Sequence, residues 1–362
     1  MRFVFVITNL AGGGAEKIVL TLAAGLAYRE HEAEVVLLED RIEHSLPQGI
    51  KVTALTERAS KGWLGKRLLA RRLRSYVLAQ SGVDLVVSAL PFANEVAILA
   101  NLPHHWCRID NTLGREITKL AAHSPAKAQR RLTRYRRLYN VRPLIAISDG
   151  MIDDLRQHIG LASRIEKIPN PFDLAAIRQA AQAPAAERPN RRYVIHVGRF
   201  NSQKRHDLLL NAWSLVDTDH LLLLLTEPNP KLQAMIDSRG LAQRVLIAGF
   251  QPNPYPWIAG ADLLVLCSDH EGLPGVLIEA LACGTPTVST DCPSGPREIL
   301  AAFPECLVPC DDIAALAKAI SDNLATPIDP SKADLSLFEV SSVVAAYERL
   351  AGQGRACVAS PA

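Results

Sequence analysis

The sequence predicts an α/β protein made of two doubly wound domains. Short aliphatic runs alternate with longer helical patterns along nearly the whole chain, and glycine-bearing turns follow several of the runs. At 362 residues the chain exceeds the usual size of one domain. Its charge is also divided. Residues 1–150 hold 22 Lys+Arg against 13 Asp+Glu, and the remainder holds 18 against 24. A basic first half and an acidic second half suggest two domains with different partners.

Residues 2–8 read as a buried parallel strand. The loop 9–14, with Gly12, Gly13 and Gly14, leads into a helix over 15–28. Strand, glycine-rich loop and helix can bind phosphate, because free amides and the helix dipole meet there. Glu39-Asp40 ends the next strand, where a ribose-binding acid would lie. Against a dinucleotide site, the third glycine position holds Lys17. Residues 51–55 are a strand and 62–80 a helix. In that helix Trp63, Leu64, Leu68, Leu69, Leu73 and Val77 alternate with Lys66, Arg67, Arg71, Arg72 and Arg74. It lies either on an anionic membrane or against the fold with a solvated cationic face.

Residues 84–90 and 105–110 are strands flanking a helix over 94–102. A basic region with interleaved aromatics follows, from Lys127 to Arg142. Its charge suits nucleic acid or a pyrophosphate lipid at a negative membrane. Residues 144–148 are a strand. Ser148 caps a helix over 150–158, whose Asp153 and Asp154 suit its positive end. After a strand at 164–169 and a turn at 170–173, the Ala-, Gln- and Pro-rich stretch 175–190 reads as a linker.

The second domain begins with a strand at 193–199 ending in Gly198-Arg199, with Lys204 and Arg205 in the same loop. Three cations at a strand's C-terminal end suit a diphosphate, since open α/β sheets bind ligands there. Strands at 220–226, 245–248, 261–267 and 306–308 follow, with helices at 230–239, 313–324 and 338–350.

The chemistry concentrates in residues 268–300. A polar turn ends in Glu271, the loop Gly272-Leu273-Pro274-Gly275 follows, and a helix runs over 276–283, with Gly284 free to end it. A β-branched strand over 285–291 and a turn lead into a helix that begins at Pro296. Every helical residue from Val276 to Cys283 is apolar except Glu279. Helical side chains tilt toward the N-terminus, so Glu279 should point back at the loop. One volume could then offer amides for phosphate and two carboxylates for hydroxyls. A buried structural glutamate beside a capping loop fits the same residues.

The spacing of Glu271 and Glu279 resembles the Glu-x7-Glu signature of the GT-B glycosyltransferases of family 4. Arg199 and Lys204 resemble that family's Gly-Arg-x4-Lys pattern. With Asn253-Pro254-Tyr255 and the run from Asp291 to Pro296, the likeness is closest to bacterial enzymes that extend lipid-linked oligosaccharides or polysaccharides. The resemblance implies two Rossmann-like domains facing across a cleft. Residues 1–170 would be the acceptor side, 171–335 would bind nucleotide sugar, and a helix at 336–353 would cross back.

It further implies a retaining transferase of a hexose or N-acetylhexosamine, with a nucleotide-sugar donor, UDP-linked, and a glycan or lipid-linked acceptor. Glu271 would bind sugar hydroxyls, Glu279 the ribose, and the amides of Gly275, Val276 and Leu277 phosphate. Arg199 and Lys204 would stabilise the leaving diphosphate, and the backbone at Phe250 would meet the base. Gly13, Gly14 and Glu16 match the family's glycine loop, although Glu16 also reads as a helix-start acid. Asp110 stands where relatives often have a histidine. No metal and no cofactor beyond the donor are expected.

The seven scattered cysteines suggest reduced thiols rather than disulfides or zinc. The N-terminus does not read as a signal peptide, and no apolar run reaches membrane-spanning length. A cytoplasmic protein is expected, with peripheral contact to anionic lipid at the inner membrane and no nucleic-acid partner. A sugar-nucleotide epimerase, a glycoside hydrolase using Glu271 and Glu279, and a non-catalytic nucleic-acid-binding protein remain as alternatives.

Overall fold

A computed structural model describes residues 1–185 and 187–358, the side chains of 354–358 excepted. The chain divides into two compact units. One comprises Met1–Phe172 with the chain from Leu337 onward, and the other Asp173–Ser336.

The first unit runs β1 (Arg2–Ile7), α1 (Gly14–Tyr28), β2 (Glu32–Leu37), β3 (Lys51–Ala54), α2 (Trp63–Leu78), β4 (Leu85–Ala89), α3 (Pro91–Ala100) and β5 (His105–Ile109). It continues through α4 (Leu113–His123), α5 (Pro125–Tyr139), β6 (Leu144–Ala146), α6 (Asp149–Asp153) and β7 (Ile165–Lys167). All seven strands are parallel, in the order β3-β2-β1-β4-β5-β6-β7. Parallel strands covered on both faces need nearly continuous apolar sequence, and β1 supplies it. Phe3, Phe5 and Ile7 enter one core with Leu22 and Leu26 of α1, while Val4 and Val6 enter the opposite core with Leu69, Leu73 and Val77 of α2.

The second unit runs α7 (Leu174–Ala180), β8 (Tyr193–Val197), α8 (His206–Trp213), β9 (Leu221–Leu225), α9 (Pro230–Asp237), β10 (Val245–Ile247) and α10 (Tyr255–Ala259). There follow β11 (Leu263–Leu266), α11 (Gly275–Ala282), β12 (Thr287–Thr290), α12 (Pro296–Ile299), β13 (Leu307–Val308) and α13 (Ile313–Ala325). Its six parallel strands are ordered β10-β9-β8-β11-β12-β13. The last helix, α14 (Val340–Val358), packs in the first unit. Its Val340 and Val344 approach Gly25 so closely that a Cβ there would lie 2.7 Å and 2.8 Å from their methyls.

Several expectations need correction. The stretch read as a linker holds α7, capped by Asp173 Oδ1 accepting from the Ala176 amide at 2.8 Å and packed on α10 and α11. Its Leu174 and Ile177 are buried, so the segment is part of the second unit. Ser148 caps α6 as expected, accepting from the Met151 amide. The helix then widens into a π-helix over Asp154–Ile159, closed by left-handed Gly160. The apolar stripe of α2 divides: Leu69, Leu73 and Val77 are buried, whereas Trp63, Leu64 and Leu68 face outward.

The six cysteines whose side chains are described are thiols, and Cys357 lies outside the described side chains. Among the described residues no helix is long and apolar enough to cross a membrane.

Candidate active site

In the second unit the chain reverses its direction across the sheet at β8, which pairs with β9 on one side and β11 on the other. Loops leaving the C-terminal ends of two such strands diverge and leave a crevice, the usual ligand position in open α/β sheets. The two loops are residues 198–205 and 267–274, which carry the predicted cations and Glu271.

Hydrogen bonds fasten these loops together. The Asp269 amide donates to Gln203 O at 2.9 Å, and Gln203 Nε2 donates to His270 O at 2.8 Å. Asn201 Oδ1 accepts from the Lys204 amide at 3.0 Å and sets the short 3-10 turn Ser202–Lys204. The Lys204 stem passes over Gly198, where a Cβ would lie 3.3 Å from Lys204 Cδ and Cε. Lys204 Nζ then reaches Glu271 Oε1 at 2.7 Å, and both side chains are largely buried.

The three expected cations separate in role. Arg205 turns away to Asp207, Asp269 and Asp311, its hydrogen bonds with Asp207 first in raising its pKa. It is a strut between loops, not part of a diphosphate site. Arg199 is exposed and, among the described residues, has no hydrogen-bond or ion-pair partner. Its neighbour in the pattern, Lys204, is already neutralised by Glu271.

Helix α11 begins after Pro274 with no side-chain cap. The first amides of a helix have no partner in its ladder, which leaves Gly275 and Val276 for another acceptor. Leu277 differs from expectation, because its amide donates to Pro274 O at 3.1 Å. Behind the loop stands Gly295 at φ +92, where a Cβ would meet Pro274 Cδ at 2.4 Å. Only glycine permits both the backbone angle and the approach, so the Pro293–Gly295 turn holds the entry to α11 in place. The preceding Ser294 takes a left-handed conformation too, and its buried Oγ is unpartnered among the described residues.

Glu279 is half-buried, and Tyr255 Oη donates to its Oε1 at 3.4 Å. Burial, then the Glu279 charge, raises the Tyr255 pKa, so the phenol remains a neutral donor. The two glutamates therefore have different protein partners. Tyr255 belongs to the quoted Asn253-Pro254-Tyr255 motif but received no role from the sequence. Phe250 follows β10 at the sheet edge, two strands from β8, and is 69% exposed. Asp217-Thr218-Asp219 is an Asp-x-Asp motif. It precedes β9 and so lies at the opposite end of the parallel sheet from the crevice loops.

In the first unit the glycine loop follows β1 at that sheet's own reversal, between β2 and β4. Glu16 folds back over Gly13, where a Cβ would lie 2.1 Å from Glu16 Oε2. The carboxylate suits the positive end of α1, and it would repel an anion approaching the same end. Gly14 has open space around its Cβ position.

Asp110 follows β5. Its Oδ1 accepts from Arg108 Nε at 2.8 Å, and its buried Oδ2 has no partner among the described residues. Arg108, 1% exposed, also donates to Tyr347 Oη at 2.8 Å and to Asn170 Oδ1. No sequence pattern marks this holder, because its partners lie just after β5, after β7 and on α14.

Two family models match the chain: the family described as "Glycosyltransferase Family 4" over residues 12–176, and "Glycosyl transferases group 1" over residues 191–326. An N-acetylgalactosamine-N,N'-diacetylbacillosaminyl-diphospho-undecaprenol 4-alpha-N-acetylgalactosaminyltransferase of Campylobacter jejuni is 29% identical over 303 residues, covering 81% of each chain. A lipopolysaccharide 1,6-galactosyltransferase of Salmonella typhimurium is 30% identical over 43% of this chain and 45% of that one. Among solved structures, Anabaena HepE in complex with UDP and glucose superposes with a TM-score of 0.67 at 18% identity over all of both chains.

Two parallel-sheet α/β units with these family matches define a glycosyltransferase of the GT-B fold. The chain is a glycosyltransferase, its first unit matching the family 4 model and its second the group 1 model, and the relatives it resembles carry names from lipid-linked oligosaccharide and lipopolysaccharide assembly.

Proposed function

We propose that this glycosyltransferase is a retaining enzyme. It moves a hexose or N-acetylhexosamine from a UDP-linked sugar to a glycan or lipid-linked saccharide. The observation that carries this reading is the Lys204–Glu271 pair at the β8/β11 crevice, 2.7 Å apart. A donor's diphosphate and sugar offer each partner a replacement. Phosphate takes the ammonium of Lys204, and the sugar hydroxyls take the carboxylate of Glu271. Arg199 adds a planar fork, and the Gly275 and Val276 amides add donors at a helix N-terminus.

Charge grows on the diphosphate as the glycosidic bond breaks, so these cations act most strongly in the transition state. The acceptor hydroxyl attacks on the face from which the diphosphate leaves and gives its proton to the departing phosphate oxygen. The configuration is retained without a protein nucleophile. Glu279, oriented by Tyr255, binds the ribose hydroxyls, and the backbone at Phe250 meets the base. In the first unit Asp110 Oδ2 accepts a hydrogen bond from a substrate hydroxyl. Glu16, with Gly13 and Gly14, lines the acceptor side. No step requires a metal. A lipid-linked acceptor puts the reaction at the cytoplasmic face of the inner membrane, and nucleic acid has no part in it.

The test is a thermal-shift screen of UDP-, GDP- and ADP-sugars, followed by NMR of the product's anomeric configuration. UDP-sugar at a hundred times its dissociation constant should add about 2.7 kcal/mol, and the product should keep the donor's configuration. An inverted product overturns the retaining mechanism. Epimerised nucleotide sugar without transfer overturns the transferase reading.

A further inference from the structure

Helix α2 has two apolar faces and needs only one for its core. Leu69, Ala70, Leu73 and Val77 are buried and account for its packing. Leu64 and Leu68, four positions apart, stand outward at 71% and 52% exposure, beside Trp63 at 65%. Arg67 stacks over the Trp63 ring at 4.3 Å, and Arg71 and Arg72 lie on the same exposed side. Neither α2 nor α5 contains an acidic residue. The two helices are linked, because Glu95 of α3 accepts from Lys66 on the packed side of α2 at 2.7 Å and pairs with Arg134 of α5. Arg71, Arg72, Lys127, Arg130 and Arg137 have no hydrogen-bond or ion-pair partner among the described residues.

We infer that the exposed basic sides of the linked helices α2 and α5 dock on an anionic bilayer, with Trp63, Leu64 and Leu68 entering the headgroup–acyl boundary. Unpaired cations without local acids complement anionic headgroups. Aliphatic tips ringed by arginine gain from acyl chains, where an amphipathic surface can bury them. Single-stranded RNA would instead use several planar aromatics as stacking platforms, and this face offers leucines and one tryptophan. The inference goes beyond the glycosyl-transfer reading and its test needs no sugar substrate, so either can fail alone.

The tryptophans supply a direct reporter. Of the four, Trp106, Trp213 and Trp257 are buried and Trp63 is exposed. The whole protein is floated with phosphatidylcholine vesicles, with and without phosphatidylglycerol. Recovery should require phosphatidylglycerol and fall at high salt. Bound protein should show blue-shifted emission and protection of Trp63 from acrylamide. Leu64→Ser with Leu68→Ser, at surface positions that spare the core, should lower partitioning about tenfold or more. Arg71→Gln and Arg72→Gln should each lower it about fivefold. Equal recovery with pure phosphatidylcholine overturns the proposal. So does a bound protein whose Trp63 stays quenchable, a leucine variant that floats like the wild type, or retention by an RNA homopolymer without vesicle binding.

Discussion

Lys204 and Glu271, 67 positions apart in sequence, form a largely buried ion pair of 2.7 Å across the ends of β8 and β11. Each therefore stabilises the other before any substrate arrives, and each is a candidate for releasing the other to it.

Replacing Lys204 by Ala should have two separable effects. Turnover should fall by about 10²–10³-fold, the scale for losing one preorganised electrostatic donor, with a smaller loss of donor affinity. Stability should also fall, by about 1–3 kcal/mol, because Glu271 is left without its partner. Adding Glu271→Gln should restore much of the stability but none of the turnover. Denaturant melts and steady-state kinetics on both variants check this. Wild-type turnover in Lys204→Ala removes Lys204 from the mechanism.

Arg199→Lys tests the other cation. Arg199 is exposed and makes no internal bond among the described residues, so its replacement should leave the melting temperature unchanged. Turnover should nevertheless drop, about tenfold or more, because the charge remains but the fork is lost. An unchanged turnover places the diphosphate elsewhere.

Glu279→Gln and Tyr255→Phe should both weaken UDP binding in calorimetry. The glutamine change should cost more, since a charged acceptor is exchanged for a neutral one. Both variants should remain folded, because Glu279 is only half-buried. Undiminished UDP affinity in both would end the ribose role.

Gly295→Ala should be harmful despite adding one methyl group. At φ +92 its Cβ would lie 2.4 Å from Pro274 Cδ, so both backbone and loop must shift. We expect a stability loss above about 1 kcal/mol and a larger proportional loss of turnover, as the start of α11 moves. Thermal unfolding with kinetics on the same preparation measures both. Normal values for both would show that this turn does not brace the site.

The crevice rests on histidines held neutral. His206 is lowered to about 4, first by burial and then by the Lys204 charge, and the adjacent His196 is also lowered well below its ordinary value, first by burial. Their ring centroids are 4.8 Å apart. A histidine depressed in the folded state binds fewer protons than in the unfolded chain, whose value is 6.5. Stability is therefore complete above pH 6.5 and lost as pH falls toward 4. Melts across this window should show the decline, and His206→Leu should flatten it. A decline of the same size in that variant would assign the acid sensitivity to other groups.

Much of this protein is legible in one dimension. Continuous aliphatic runs mark strands buried on both faces, as in β1 and β9. Ser148 marks a helix start, and Gly284 at φ +80 follows the end of α11. These signals are local: they depend on side-chain period, capping and backbone freedom within a few residues. The candidate site residues in 193–204 and 268–300 stand out for a related reason. Glycine, cations and carboxylates at the ends of aliphatic runs stand out from the patterns around them.

The pairings were not legible, because strand order decides them. The sheet sets β8 beside β11, and only then does Lys204 meet Glu271 while Arg205 is drawn off to Asp207, Asp269 and Asp311. In the first unit, β5 and α14 together surround Arg108 and aim Asp110. The seven leucine, valine and alanine positions of α2 share one helical pattern, yet contact with the sheet buried Leu69 and Leu73 and left Leu64 and Leu68 in solvent. Sequence by itself determined which residues could form strands, caps and charged loops. Tertiary structure decided which charges meet and which apolar side chains remain exposed, because both depend on neighbours that lie tens of residues away.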